Sequence, residues 1–382
     1  MVTEADALAA AEAFLTAGAP IRARRHGGGR IHESFVVDCA TAGGGMRRCL
    51  LQRINDGVFS DVAGLMRNVE IVLAQLAATD RNDQSGATPT ARLKLIPARE
   101  GGTWRCDFLG RAWRAYEFVE ETRVIERVEQ TWQAFEAGRA FGRFQRVMSG
   151  LRPEHLVTTI PDFHHTPKRL EALRRVCADD VARRVSGAAD VLDRVERHVW
   201  LAPVIQSGLD DGRFPVRVVH NDAKITNVLF DAALPKAVCV TDFDTVMPGS
   251  PLHDVGDMLR TMTSRHTEDD PDVSQVHVAP ELLEALLRGY IFEAGSFLTA
   301  AEIEALPLCG AVIAFEQAVR FLTDHLAGDV YYPVDAPGRN LLRARIQIAQ
   351  TEALLAHHMR MKFLIDRHLA EGQGDGAGAV ST

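Results

Sequence analysis

The sequence predicts an α+β fold of two lobes: an N-terminal antiparallel sheet with helices, followed by a mainly helical C-terminal lobe. Three observations carry this expectation. The chain has 382 residues, more than one hydrophobic core usually serves. Short apolar runs of strand length, punctuated by Gly-rich turns, concentrate in the first 120 residues. From Glu129 onward the apolar residues recur mostly at helical spacing. The boundaries that follow are a lobe at 1–120, a lobe at 121–370, and a polar Gly-rich tail at 371–382 expected to be disordered.

Taken in order, residues 4–16 read as an Ala-rich amphipathic helix closed by Gly18 and Pro20. A loop beginning at His26 leads into a strand through Asp38, and a second strand at 47–54 follows the turn Gly43-Gly44-Gly45. The pair forms a hairpin whose glycines, Gly28 and Gly29 included, permit close approach of a ligand or simply make turns. Ser60 or Asp61 caps a helix to about Leu76, with Val62, Leu65, Met66, Val69, Leu73 and Leu76 on one face. Glu70 lies on the edge of that stripe. A polar loop at 79–90 precedes strand-like runs at 92–96, 103–108 and 112–119. Beyond 129 come helices to about Val199, broken by TTIPDFHHTP, then a polar loop at 263–280 and further helices.

Composition narrows the function classes. Hydrophobic residues make up 46% and charged residues 25%, as in ordinary soluble globular chains. A net charge of -8 argues against nucleic acid or an anionic membrane as the main partner. The six cysteines show no C-x-x-C spacing, which suits a reducing compartment, and the start of the chain lacks a signal-peptide pattern. No apolar run looks long enough to cross a bilayer, so the expected location is cytoplasmic. Nothing in the sequence specifies an oligomeric state.

The chemistry concentrates between Val216 and Arg260, where two short β-like runs, at 216–219 and 237–240, each end in a polar cluster. The first cluster, HNDAKITN, places His220, Asp222 and Asn227 in the order H-x-D-x-x-x-x-N, and the second is Asp242-Phe243-Asp244. Moving a γ-phosphoryl group takes a carboxylate to orient and accept the proton of the attacking hydroxyl, and divalent cations to neutralise phosphate oxygens. Asp222 suits the first task, with Lys224 two residues on as a point charge for the migrating phosphate. Asn227 and Asp242 offer oxygen ligands to Mg²⁺, which keeps several waters and needs few protein groups.

The nucleotide side departs from the usual pattern. A lysine is expected near residue 50, yet the first lysine is Lys94, so Arg53, or less readily Gln52, must meet the phosphates. Glu70 would pair with that cation, or it is a solvated helix residue. Backbone groups near Phe118, Val119 and Glu120 fall where a connection between lobes would meet an adenine ring.

The set HNDAKITNVLFD, VTDFDTVMPG and DVGDMLR resembles the aminoglycoside phosphotransferase and choline kinase superfamily, with its protein-kinase-like fold. More narrowly, GGGRIHESF, LLQRIN-x-x-VF, TIPDFH and VRFLTDHLAGDVYY resemble the N-acetylhexosamine 1-kinase branch, from about Gly27 to Gln347. The resemblance implies ATP- and Mg²⁺-dependent phosphorylation of the anomeric hydroxyl of an N-acetylhexosamine. It implies Asp222 as base, Asn227 and Asp242 as metal ligands, and His32, Arg320 and Tyr331 in the sugar pocket. From the residues alone, His32 reads equally as a structural hydrogen-bonder, and Arg320 with Asp324 as a surface ion pair. Asp244 and Asp254 read as carboxylates that support the metal loop. The alternatives are another hydroxyl acceptor (a different sugar, choline, homoserine or an aminoglycoside) and a nucleotide-binding pseudokinase.

Overall fold

The computed structural model describes residues 2–27, 31–82, 93–267, 269–332 and 334–377. Its contacts divide the chain into two compact units: Met1–Thr122 with Glu154–Ile160 and Thr241–Val246, and Arg123–Pro153 with Pro161–Val240 and Met247–Thr382. The expected two-lobe α+β class is the observed one, with an N-terminal antiparallel sheet and a mainly helical C-terminal part.

The first unit contains α1 (Glu4–Ala11), β1 (Ala19–Arg25), β2 (Glu33–Ala40), β3 (Met46–Arg53), α2 (Val62–Asn82), β4 (Trp104–Cys106) and β5 (Ala112–Glu117). Its five strands lie in the order β1-β2-β3-β5-β4, each antiparallel to its neighbour. Phe35, Val37 and Cys39 alternate along β2 onto one face, where Leu51, Trp113 and Ala115 meet the small residues Ala7, Ala10 and Ala11 of α1. Ile54, Phe59 and Ala112 pack instead with Leu65 and Met66 of α2. Each large apolar side chain so covered contributes about 1.5–3 kcal/mol. Asp61 starts α2, accepting the Gly64 N–H at 2.8 Å.

Three elements differ from the sequence reading. The first helix ends at Ala11 instead of 16, because the next residues turn to a second segment, with Leu15 N–H on the Pro97 carbonyl and Phe14 bridged to Ala98. β1 was not anticipated; it is an edge strand with Ala23 its only buried residue, so it carries no alternation and tolerates Pro20. The run expected at 92–96 reduces to a bridge between Leu95 and Tyr116, residue 92 lying outside the described residues.

β6 (Thr122–Val124) leads into the second unit, which holds α3 (Thr131–Met148), α4 (Thr166–Asp179), α5 (Ala189–Arg197), α6 (Pro203–Asp210), β7 (Arg217–Val219), β8 (Val228–Asp231), β9 (Ala237–Val240), β10 (Met247–Gly249), α7 (Pro251–Met262), α8 (Pro280–Ala294), α9 (Ala300–Ala327), α10 (Arg339–Ala356) and α11 (His358–Ala377). β7 pairs with β10 and β8 with β9, both antiparallel. Close helix crossings fix the core. A Cβ at Gly289 of α8 would stand 2.1 Å from the Phe135 carbonyl oxygen of α3, and one at Gly256 of α7 2.6 Å from the Cys309 carbonyl oxygen of α9. Backbone-to-backbone approach at Gly256 seats α7 directly on α9.

Two further expectations are corrected here. α9 is long and apolar enough to cross a bilayer, but 78% of its most apolar stretch is buried inside the protein, as in a core helix. α11 continues through residues 371–377, expected to be disordered, while 378–382 lie outside the described residues. Glu371 receives His368 at 2.9 Å and Arg367 at 3.6 Å, the i,i+3 and i,i+4 pairs that prolong a helix.

Candidate active site

β7 ends at Val219 and delivers the HND cluster. Asn221 takes a left-handed conformation, φ 62°, so the chain reverses sharply just before Asp222. The turn is held through its backbone: His220 N–H and Asn221 N–H donate to the two carboxylate oxygens of Asp254 at 3.0 and 2.6 Å. Asp254 begins α7 and is fully buried; Gln145 of α3 donates to it at 2.8 Å, and the Tyr290 hydroxyl of α8 fixes Gln145 at 2.6 Å. Burial pushes the Asp254 carboxyl up, against the hydrogen bonds it accepts.

Asp222 itself keeps 25% of its side chain exposed. Lys224 Nζ lies 2.8 Å from its Oδ2, and Asn227 donates its amide N–H to the same oxygen at 3.0 Å and to the Asp222 carbonyl at 2.9 Å. Burial alone would push this carboxyl up; the Lys224 charge and the Asn227 hydrogen bond outweigh it and hold the group below the usual carboxylate range. Asp222 is therefore an ionised acceptor at neutral pH, reachable from outside. With its amide nitrogen turned to Asp222, Asn227 leaves Oδ1 as an oxygen donor suited to a hard cation. Among the described residues no group of three or more His, Cys, Asp or Glu is placed to hold a metal ion.

The second cluster belongs to the first unit. Asp242 is also left-handed, at φ 62° and ψ 64°, ahead of a single 3-10 turn, Phe243–Thr245. Asp244 is buried and bound on both oxygens by the Arg114 guanidinium of β5, Nη2 to Oδ2 at 2.6 Å. Arg114 Nε donates to Gln52 Oε1 at 3.0 Å across the β3–β5 pairing. His32 completes the cluster: its Nδ1 accepts the Asn55 N–H at 3.0 Å, so the proton on Nε2 is the one given to Asp244. Burial opposes ionisation of Asp244, yet the Arg114 charge holds its carboxyl far below the usual range.

Several expected residues fall elsewhere. Gly28 and Gly29 lie outside the described residues. Arg53 points at its own surroundings, 3.2 Å from Asp56 and 3.8 Å from Glu33. Among the described residues Glu70 meets no strand cation; it accepts the Thr103 hydroxyl, and the buried Arg114 is turned onto Asp244. His32 has both ring nitrogens committed, the structural one of its two readings. Phe118 N–H bonds the Arg48 carbonyl and the Val119 carbonyl accepts the Thr122 hydroxyl, so those two groups are engaged; the Val119 N–H has no partner among the described residues.

In the second unit Arg320 and Asp324 do not pair. Asp324 accepts the backbone N–H groups of Val330, Tyr331 and Tyr332 at 2.7–2.9 Å and shapes the loop after α9. The Arg320 guanidinium lies over the rings of Phe163 and Tyr332, at 5.5 and 5.7 Å, with no hydrogen bond or ion pair to another described residue. Arg169 lies close enough that burial and the Arg320 charge together lower its own pKa. The Tyr332 hydroxyl is buried without a partner among the described residues, and Tyr331 is exposed.

The sequence profile of the phosphotransferase enzyme family matches residues 24–301, a span that includes both clusters. The chain belongs to this family. Solved structures with the same fold include a microcompartment-associated aminopropanol kinase, 15% identical with a TM-score of 0.56 over 93% of this chain and 98% of that one. A spectinomycin phosphotransferase, solved with ADP and spectinomycin, is 13% identical with a TM-score of 0.54 over 92% of this chain and 99% of that one. An amicoumacin kinase, solved with AMP-PNP and Ca²⁺, is 14% identical with a TM-score of 0.54, covering 87% of this chain and 89% of its own. At these identities the likeness establishes the fold of a family member. The sequence reading missed Arg114 and Arg169. For Arg114 a signal existed: the one charge in the run AWRAY must be paired if that strand is buried.

Proposed function

We propose that this phosphotransferase uses ATP and Mg²⁺ to phosphorylate a small hydroxylated acceptor, and that the acceptor is an N-acetylhexosamine taking phosphate at its anomeric hydroxyl. The observation that carries the reaction type is the Asp222 cluster, an ionised, accessible carboxylate beside a lysine and an asparagine. Asp222 orients the acceptor hydroxyl and takes its proton as the O–P bond forms and the bond to the leaving ADP breaks. Lys224 neutralises charge on the transferring group. Asn227 Oδ1 and the Asp242 carboxylate are the protein ligands assigned to Mg²⁺, which when bound neutralises phosphate oxygens.

The acceptor reading draws support from Arg320. The Arg320 guanidinium makes no hydrogen bond or ion pair to another described residue, feels the buried Glu316 carboxylate only through space, and lies near a second arginine and a tyrosine hydroxyl without a partner among the described residues, so its N–H groups are open to the oxygens of an acceptor. A neutral sugar supplies what these donors lack, with hydroxyl and acetamido oxygens for Arg320 and the Tyr332 hydroxyl and a ring face for Tyr331. Family membership also admits another neutral hydroxyl acceptor as the second reading. The test is an ADP-release assay with ATP and Mg²⁺ across free sugars, amino alcohols and aminoglycosides, followed by ³¹P NMR of the product. A sugar 1-phosphate from N-acetylglucosamine or N-acetylgalactosamine is the expected result. Turnover confined to cationic acceptors would discard the Arg320 assignment and keep Asp222.

A further inference from the structure

His164 lies just before α4 and is buried, and both of its ring nitrogens face groups that only accept hydrogen bonds. Nδ1 is 2.8 Å from Glu316 Oε1 and Nε2 is 2.9 Å from the Asn221 carbonyl oxygen. A neutral imidazole carries one N–H; satisfying a carboxylate and a carbonyl together takes the doubly protonated ring. The surroundings are built for that charge. Glu316, from α9, has its other oxygen held by the Thr166 hydroxyl at 2.7 Å. Burial would push the ring down, but the Glu316 carboxylate outweighs it and raises the His164 pKa above its ordinary value, with Asp257 of α7 adding to the effect. The His253 ring, from α7, lies 4.9 Å away and is itself pushed down to about 3, by burial and then by the charge on His164, so it adds no competing cation. Phe163 closes the remaining side at 4.7 Å.

The residue that His164 grips is the left-handed one that precedes the base. Asn221, at φ 62°, has its N–H on Asp254 of α7 and its carbonyl on His164 of the turn before α4, so the peptide groups on either side of its Cα are anchored to different segments. Asparagine visits this region more readily than other non-glycine residues, yet the conformation is uncommon, and here it is gripped from both sides. Asp254 explains the N–H side. On the carbonyl side, which leads directly into Asp222, the Asn221 oxygen meets His164.

We propose that His164 is a positioning residue for phosphoryl transfer: a cation anchored by Glu316, it grips the Asn221 carbonyl, maintains the left-handed turn and thereby aims the Asp222 carboxylate. This rests on the reading of Asp222 as the base. It predicts that wild-type kcat falls on the alkaline side as the ring loses its second proton. The sign follows from the raised pKa: the charge is fully present at low pH and is lost as pH rises through the folded-state value. In Glu316→Gln a neutral ring can still donate from Nε2 to Asn221 while Nδ1 accepts from the new amide. That variant should lose less kcat than His164→Ala, and its alkaline limb should flatten.

The test combines kinetics on the full chain, with ATP, Mg²⁺ and N-acetylglucosamine, and NMR of ¹⁵N-histidine-labelled protein. His164→Ala should lower kcat by up to about 10²-fold with KM for ATP unchanged, the scale of a small misplacement of a reacting group. In the NMR experiment the signal lost in His164→Gln should show two slowly exchanging ring protons at pH 7–8, and the amides of Asn221 and Asp222 should shift in that variant. A kcat within twofold of wild type in His164→Ala, a loss confined to KM, or one ring proton instead of two would each overturn the proposal. Asp222→Asn run in parallel separates the two readings. If it stays active, the base assignment fails; if it is dead while His164→Ala is not, only the clamp fails. If wild type does not act on N-acetylglucosamine, the acceptor reading fails, and the ring-proton count and the Asn221–Asp222 shifts decide the clamp.

Discussion

Asp222 and Asp244 each have a basic side chain within 3 Å and a further N–H donor from a neutral polar residue, yet the first keeps 25% of its side chain exposed and the second 2%. Their partners differ in the same sense. Lys224 is a flexible point charge, itself 40% exposed, whereas Arg114 is a planar fork locked by Gln52 and packed over Tyr116. A partly exposed carboxylate with a mobile cation can trade that cation for a substrate hydroxyl or a phosphate. A buried one with a bidentate arginine cannot trade without stranding a charge. Exposure, more than the identity of the neighbours, separates the carboxylate fitted for chemistry from the one that holds a loop in place.

The largest effect that would sharpen this contrast is on turnover. Asp222→Asn should lower kcat by about 10²–10⁴-fold, the usual contribution of a positioned acid–base group. Its unfolding midpoint should hardly move, because the site stays polar and partly open. Near-normal turnover in the active-acceptor assay would collapse the distinction between the two aspartates.

The corresponding change at Asp244 should act on stability. Asp244→Ala leaves the Arg114 guanidinium buried and unpaired, a loss of about 3–5 kcal/mol, readable by urea unfolding. Replacing both together, as Arg114→Met with Asp244→Leu, should recover most of that loss. A depressed carboxyl gives stability that is complete above its unfolded value of about 3.9 and is lost as pH falls towards the folded value. Wild type should therefore weaken through the acid range below about pH 4, and the double variant should weaken less. Equal acid slopes in the two proteins would show that the Arg114–Asp244 pair is not what holds the Asp242 loop.

The same contrast explains what was readable in the sequence. The strands and their clusters at HND and DFD were legible because they are local: a short apolar run followed by polar residues at fixed spacing. So were the β2–β3 hairpin with its glycine turn and the Asp61 cap of α2. β1 was not, since an edge strand with one buried residue lacks the alternation that marks a strand. The partners of Asp244 were not legible either, because they come from positions 130 and 212 residues away and spacing cannot express such pairings. The Arg320–Asp324 reading failed for a related reason. The i,i+4 rule concerns helix neighbours alone, and Asp324 sits in the last turn of α9, where three loop N–H groups reach it first.

The smallest expected effect tests the residue on which sequence and structure differ most. The sequence assigns Arg53 to the nucleotide phosphates in place of a missing lysine. In the structure its guanidinium is spent on Asp56 at 3.2 Å and Glu33 at 3.8 Å, with 24% of the side chain exposed. Meeting a phosphate would mean giving up those contacts, and pairs this exposed contribute only about 0.2–1 kcal/mol. The exchange is nearly balanced, so Arg53→Ala should change stability by about 1 kcal/mol or less and raise KM for ATP by about fivefold at most. A rise well beyond that, with KM for the acceptor unchanged, would show that Arg53 leaves its carboxylates for the nucleotide and would class it with Lys224 as a cation that trades partners. No rise at all would place it with Arg114, as a cation whose partners are those the fold already provides.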